Sequence, residues 1–254
     1  MKFIGRGRVY IAERNSTTGI PGKFTFVGCA DALNIALTAE TITHISKCTS
    51  ADAVDAQLTT AQNAEMSMTL SEWLLANLLL ALRGESVPDA TTGSVTGEAM
   101  GTGFVAGDIY LLGQATGAPH TNVSTVVITD TGGPLTLDTD YTLDAVTGTV
   151  VFLLPTTGAV DADYSYDDLA YVAMFKAGAK NYWVRFDGIN KADSDKKFVV
   201  DLYKVQFNPA ANVDLLSDEF AVLELGGAVL LDDTKSDSGD LGQFGRMTEL
   251  DAAP

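Results

Sequence analysis

The sequence predicts a mainly β protein: a sandwich or barrel of strands with one flanking α-helix and a small β module inserted into it. Three observations carry this expectation. Residues 197–233 hold two long strand patterns joined by a polar connection. Charged residues make up only 19% of the chain while glycine and threonine are plentiful, which suits strands linked by many turns. The stretch from Gly84 to Phe175 contains no Lys or Arg, which sets it apart from its flanks.

The chain opens with a basic segment, in which Lys2, Arg6, Arg8, Arg14 and Lys23 face Glu13 alone. Arg8 to Ala12 reads as a strand, Asn15 to Gly22 as a loop, and Lys23 to Gly28 as a second strand. Leu33, Ile35 and Leu37 then alternate with Asn34, Ala36 and Thr38, and the pattern weakens towards Ile45. Ser46 to Asn63, rich in small residues, reads as a long loop. Alternation returns from Ala64 to Leu70. A helix is expected over Glu72–Arg83, with Ser71 as its N-cap, Gly84 just past its end, and Leu74, Leu75, Leu78, Leu79 and Leu82 as its core-facing stripe.

Residues 86–169 form the inserted acidic module, and residues 1–85 with 170–254 form the main domain. Within the module, residues 86–107 read as a linker or irregular strand. Thr125–Thr129 reads as a strand, Asp140–Asp144 and Thr149–Leu153 as a hairpin turning at Thr147-Gly148, and Ala162–Tyr166 as the strand that closes the sheet. The main domain resumes with strands at Tyr171–Phe175 and Asn181–Phe186. In the strand after Lys197, Val199, Tyr203, Val205 and Phe207 share one face and Phe198, Val200 and Leu202 the other; both faces are apolar along part of the length, which places the strand inside a sandwich or barrel rather than at a free edge. Asn208-Pro209 ends that strand, because proline cannot donate to a ladder. The next strand runs from Phe220 and is expected to bend at Gly226-Gly227. The tail from Thr234 is expected to be extended and ordered against a neighbour.

Composition and motif searches narrow the function classes. The net charge is −17 and the pI about 4.2, a balance that repels nucleic acid. Two cysteines, Cys29 and Cys48, are too few for a disulfide framework. The beginning of the chain lacks the apolar core of a signal peptide, and Leu74–Leu82 is too short to span a bilayer, so synthesis in a cytoplasm without secretion is expected. His44 and His120 lack metal-ligand spacing. The calcium-loop start at Asp138-Thr-Asp140 fails at Leu143 and Thr149. Gly101-Thr-Gly103 satisfies a dinucleotide fingerprint only loosely and opens no helix. There is no P-loop or nucleophile elbow, so the expectation is a non-enzyme with no cofactor and no bound metal. The opposed charges of the two termini point to pairs between subunits: Arg6, Arg8 and Arg14 of one copy against Asp232, Asp233, Asp237 and Asp240 of the next.

The order of parts carries a resemblance. Phe26-Val27-Gly28-Cys29 is followed by the alternating Leu33–Leu37. A long segment precedes Met66-Ser67-Met68-Thr69-Leu70-Ser71-Glu72, and the Leu-rich helix ends at Arg83-Gly84. The module carries Leu137–Asp144 and Gly148–Phe152; Phe198–Val205 and Phe220–Gly227 complete the set. The chain resembles, over nearly its whole length, the major tail (tail tube) proteins of long-tailed bacteriophages, especially those with non-contractile (siphovirus-type) tails. The resemblance implies a β-sandwich or half-barrel with a flanking helix, six subunits to a ring, and rings stacked head to tail into a virion tail tube with an acidic lumen. Through that lumen the genome leaves without specific binding of the DNA. Tape-measure, tail-terminator and distal tail proteins are the further partners it implies; no membrane is involved. Ser46–Asn63 matches the family's inter-ring loop by position, with Lys47, Asp52, Asp55 and Leu58 as its candidate contacts, and the module would stand on the outer wall. The alternative is a surface-binding β-sandwich, an adhesin or a capsid-decoration protein.

Overall fold

The computed structural model describes residues 2–47, 52–87, 92–236 and 240–250. The protein is mainly β, with 54% of residues in strands, several antiparallel sheets and one α-helix. In chain order the elements are β1 (Gly5–Glu13), β2 (Thr25–Phe26), β3 (Ala30–Ser46), β4 (Ala53–Leu70), α1 (Leu75–Ala81), β5 (Glu85–Val87), β6 (Thr92–Thr102) and β7 (Ile109–Leu111). There follow β8 (Val123–Asp130), β9 (Gly133–Pro134), β10 (Tyr141–Asp144), β11 (Thr149–Phe152), β12 (Ala159–Asp167), β13 (Tyr171–Ala173), β14 (Tyr182–Asn190), β15 (Lys196–Phe207), β16 (Leu223–Val229) and β17 (Gly245–Leu250). The chain divides into two compact units, residues 1–85 with 174–254, and residues 86–173.

The first unit is one sheet in the order β2-β1-β14-β15-β16-β4-β3, and β17 also pairs with β15. β15 is its axis. Along one border its first half, Lys197–Leu202, pairs with β17, and its last residues, Val205–Phe207, pair with β16. The apolar pattern on both parities of β15 has a cause that the sequence conceals. Tyr182 pairs with Val205 but Val184 with Leu202, so β15 carries one extra residue there. A bulge inverts the alternation. Phe198, Val200 and Leu202 before it, and Val205 and Phe207 after it, therefore enter the same core, with Val9, Met68, Leu70, Leu223 and Leu225. One core explains the pattern, and β15 lies inside the sheet, between β14 and β16, rather than at a free edge.

Gly226 and Gly227 do not bend the chain; β16 runs straight through them. A Cβ on Gly227 would stand 2.6 Å from the Gln206 carbonyl oxygen, so glycine permits the close approach of β15. Phe220–Val222 lie outside the strand. The tail also departs from expectation. β17 pairs with β15 of its own chain from Lys197↔Leu250 to Leu202↔Gly245, because that half of β15 has a vacant border.

The helix is shorter than its leucine pattern predicts, spanning seven residues with Leu74 at the N-cap position and no side-chain cap. Its end follows the Schellman pattern: Gly84 N–H donates to Leu79 C=O, Arg83 N–H donates to Leu80 C=O, and Arg83, not Gly84, takes the left-handed conformation with φ 45°. The buried face is Asn77 and Ala81, with Trp73 and Leu80 half-buried beside them, while Leu74 and Leu75 are exposed. Asn77 decides that orientation. Its side-chain amide donates to the Val27 carbonyl at 2.7 Å and the Glu72 carbonyl at 3.2 Å, fastening α1 to the chain just before β3.

The second unit has its own core of Met100, Tyr110, Leu112, Ile128, Tyr141, Val150, Phe152 and Val160, with β10-β11-β7 as one sheet and β6-β12-β8-β9 as another. The expected hairpin is β10 and β11, paired from Tyr141↔Phe152 to Asp144↔Thr149. The expected linker is largely β6, a strand whose register against β12 shifts twice. At its centre Glu98 is buried and fully engaged. It accepts from the Tyr164 hydroxyl at 2.6 Å, the Tyr110 hydroxyl at 2.9 Å and the Gly113 N–H at 2.9 Å. Burial, together with this carboxylate, pushes both phenols above their ordinary range. His120 stacks on Tyr166 with ring centroids 3.6 Å apart and meets Asp168 at 3.0 Å.

Candidate assembly surface

The feature of the first unit that its own fold does not explain is the β3–β4 hairpin. Its strands run for 17 and 18 residues. Only the base is held: Ala64, Met66, Met68 and Leu70 of β4 are buried, and β4 pairs with β16 from Leu70↔Leu223 to Ala64↔Val229. Beyond that point β3 and β4 have only each other, over nine residues of β3 and eleven of β4, or roughly 30 Å at the ordinary strand rise. A two-stranded ribbon of this kind is marginal alone in water.

This arm is apolar as well as exposed. Leu37 is 77% exposed, Ile42 64% and Leu58 67%, and Ile45 and Val54 are exposed too. Ile42 pairs directly with Leu58, and Ile45 with Val54. Ile42 and Ile45, three residues apart on β3, fall on opposite faces, and the register shift after His44 carries Leu58 and Val54 onto opposite faces with them, so neither face of the arm is polar throughout. β3 is also the border of the sheet. Strand borders are normally guarded by Lys, Pro or short length; β3 and β4 contain no Lys, Arg or Pro and are the longest strands among the described residues.

The expected long loop is therefore largely strand: Ser46 ends β3, and Ala53 to Asn63 belong to β4. Ala, Thr and Gln at its outward positions gave the alternation too little contrast to be read. Lys47 follows β3 and Asp52 precedes β4, both exposed at the arm's tip; residues 48–51 lie outside the described residues, Cys48 among them. Asp55 and Leu58 lie within β4. Asp55 meets His44 Nδ1 at 2.6 Å, across the exposed end of the arm. At the arm's base a groove of about 640 Å³ opens between Ile35 and Leu37 on one side and Val200, Leu202, Phe244 and Met247 on the other.

The charged residues are divided differently from expectation. Arg14 and Asp232 meet within one chain, 2.5 Å apart, with side chains 2% and 0% exposed, so neither is available to a neighbour. Sequence distance hid this: the pair spans 218 positions. Burial opposes charge on Asp232, yet hydrogen bonds from Thr234 and the Arg14 guanidinium hold its carboxyl below the ordinary carboxylate range. Asp233 stands 3.9 Å from Lys204 of its own chain, Asp240 is exposed, and Asp237 lies outside the described residues.

Arg6 and Arg8 remain exposed on β1 and join two cations that the sequence pattern does not single out. Arg6 lies level with Ile189 and Lys197, and Arg8 level with Asp187 and Val199. With Arg185 they line a concavity of about 450 Å³ whose one acidic lining residue is Asp187. The period-two spacing of Arg6 with Arg8 was legible; their proximity to Arg185 and Lys197 depends on strand register. Arg185 is engaged with Asp187 at 2.8 Å and with buried Asp201 at 3.4 Å, which Arg246 also contacts at 3.0 Å.

Two further groups bear on chemistry. Cys29 is exposed, and its hydrogen bond with Glu72 and that carboxylate's charge push the thiol above its ordinary range. Among the described residues no group of three or more His, Cys, Asp or Glu is placed to hold a metal ion, and no helix is long and apolar enough to cross a membrane. A comparison with curated proteins finds no match. A family model described as "Protein of unknown function UCP028589" matches residues 2–248, and the chain belongs to that family.

Proposed function

We propose that this chain is a structural subunit that completes its sheet borders with sister copies, forming rings of six that stack into the tail tube of a long-tailed phage. The observation that carries the reading is the β3–β4 arm: a long, unguarded, apolar ribbon that its own fold leaves uncovered. A border of that kind is a template for pairing with another chain. A contact between unlike surfaces of identical copies closes into a ring or continues as a filament, and stacked rings use both outcomes. The net charge of −17 supports a conduit role, since an acidic wall repels phosphates and lets nucleic acid pass without binding. Virion localisation, and contacts with tape-measure, terminator and distal tail proteins, belong to the same reading. Negative-stain electron microscopy of the purified protein at high concentration tests it: rings or hollow tubes are expected, and intact protein that stays monomeric would count against it.

A further inference from the structure

A second uncovered apolar surface lies far from the arm's tip. Between β15 and β16, residues 208–222 form no helix or strand. Leu216 is 97% exposed, Leu215 78%, and Phe220 is exposed completely. Bulky side chains this bare, within six residues, are unusual on a free surface. Acids interleave with them: Asp214, Asp218 and Glu219 are exposed as well, with no cation in the segment. Its complement is the concavity on β1, β14 and β15. There Arg6, Arg8 and Lys197 make no ion pair among the described residues, on a chain whose net charge is strongly negative.

The register keeps the two surfaces of one chain apart. Lys197 and Phe207 are ten steps apart on β15, about 33 Å of strand. Gly227 pairs with Phe207, and Leu223 lies four steps further along β16, about 13 Å beyond. Phe220 is three residues from Leu223, a reach of at most about 10 Å. At the segment's other end, Ala210 N–H donates to the Ala81 carbonyl at the end of α1. Segment and concavity therefore occupy opposite ends of the sheet.

We infer that residues 211–222 of one copy dock on the Arg6–Arg8–Arg185–Lys197 concavity of a second copy, head to tail. Asp214, Asp218 and Glu219 meet the unpaired cations, and Leu215, Leu216 and Phe220 are covered against Ile189, Val199 and the neighbouring sheet. Complementary surfaces at opposite ends of one subunit make a heterologous contact, which repeats indefinitely or closes a ring. The inference deepens the assembly reading and rests on its premise that copies associate.

The test is a charge-reversal cycle in the full chain, read by sedimentation velocity across a concentration series. Arg6→Glu with Lys197→Glu is expected to raise the concentration at which copies associate by about tenfold or more, and Asp218→Lys with Glu219→Lys to do the same. All four substitutions together are expected to restore association to within about threefold of the parent, because the reversed charges attract again. Circular dichroism melts of each variant are expected to match the parent's, since the substituted side chains are exposed. Unchanged association in the two partial variants, or no recovery in the combined one, overturns the docking while leaving the tube reading standing. If the parent chain does not associate at all, the tube reading falls. A synthetic peptide of residues 211–222 then decides the docking alone: anisotropy must show binding to the parent chain that weakens with salt and with Arg6→Glu/Lys197→Glu, and no such binding overturns it.

Discussion

Ile42→Ser combined with Leu58→Ser tests whether the arm is an interface. The two residues face each other across β3 and β4, and each leaves about two thirds of its surface exposed in the single chain. Fully burying a Leu or Ile side chain is worth about 1.5–3 kcal/mol, so covering the exposed part supplies about 1–2 kcal/mol for each. Losing both should weaken each arm contact by about 2–4 kcal/mol. At about 1.4 kcal/mol per tenfold, the concentration needed for assembly should rise roughly 30-fold to several hundred-fold. The stability of the monomer should move by no more than about 1 kcal/mol, since about two thirds of each side chain is already exposed and the cross-strand contact between them is the chief loss. Turbidity and pelleting over a concentration series measure the first quantity, and urea unfolding of dilute protein measures the second. Assembly at the parent concentration would rule out the arm as an interface. So would a monomer destabilised by more than about 1 kcal/mol, since the arm would then be packed within the chain.

Asp232→Asn should destabilise the first unit by about 3–5 kcal/mol at pH 7, because it leaves the buried Arg14 guanidinium without its counter-charge. The folded carboxyl titrates below its unfolded value, so its stabilisation is present above the unfolded pKa and is lost as pH falls through the folded one; the gap between parent and variant should therefore narrow in urea titrations taken stepwise below about pH 4. In the second unit, Glu98→Ala leaves two buried phenol hydroxyls and the Gly113 N–H unpaired and should cost about 3 kcal/mol or more, whereas Tyr110→Phe should cost about 1 kcal/mol; protease protection of residues 86–173 reports both. Cys29 should alkylate more slowly at pH 8 than an unhindered thiol, and Glu72→Gln should speed it, with site-resolved mass spectrometry separating it from Cys48.

How much of this was legible varied with the physics of each element. β15 and the β10–β11 hairpin stand where alternation and turn residues place them, since strong side-chain contrast marks a strand. The arm did not show, because Ala, Thr and Gln carry little hydrophobic contrast and its pairing is purely cross-strand. The bulge in β15 left a trace, apolar residues on both parities, but that trace also fits a strand buried on both faces; only pairing with β14 separates the two. The helix shows the limit of periodicity: leucines on a wide stripe suggested its buried face, but Asn77, with carbonyl partners at Val27 and Glu72, set the rotation. Among the site residues, Arg6, Arg8 and Leu58 were singled out from sequence and are exposed, whereas Arg14 and Asp232 neutralise each other inside one chain. Lys197 and Arg185 were missed because a strand's charge carries meaning only beside its neighbours.

Electron microscopy of the purified full chain, concentrated at neutral pH and moderate salt, bears most directly on whether the uncovered hairpin and borders are completed by sister copies. Six-fold rings and hollow tubes are expected, in which the β3–β4 hairpin of one copy lies against another. A monodisperse single subunit at every concentration, with its hairpin protected from proteolysis, would contradict the tube reading.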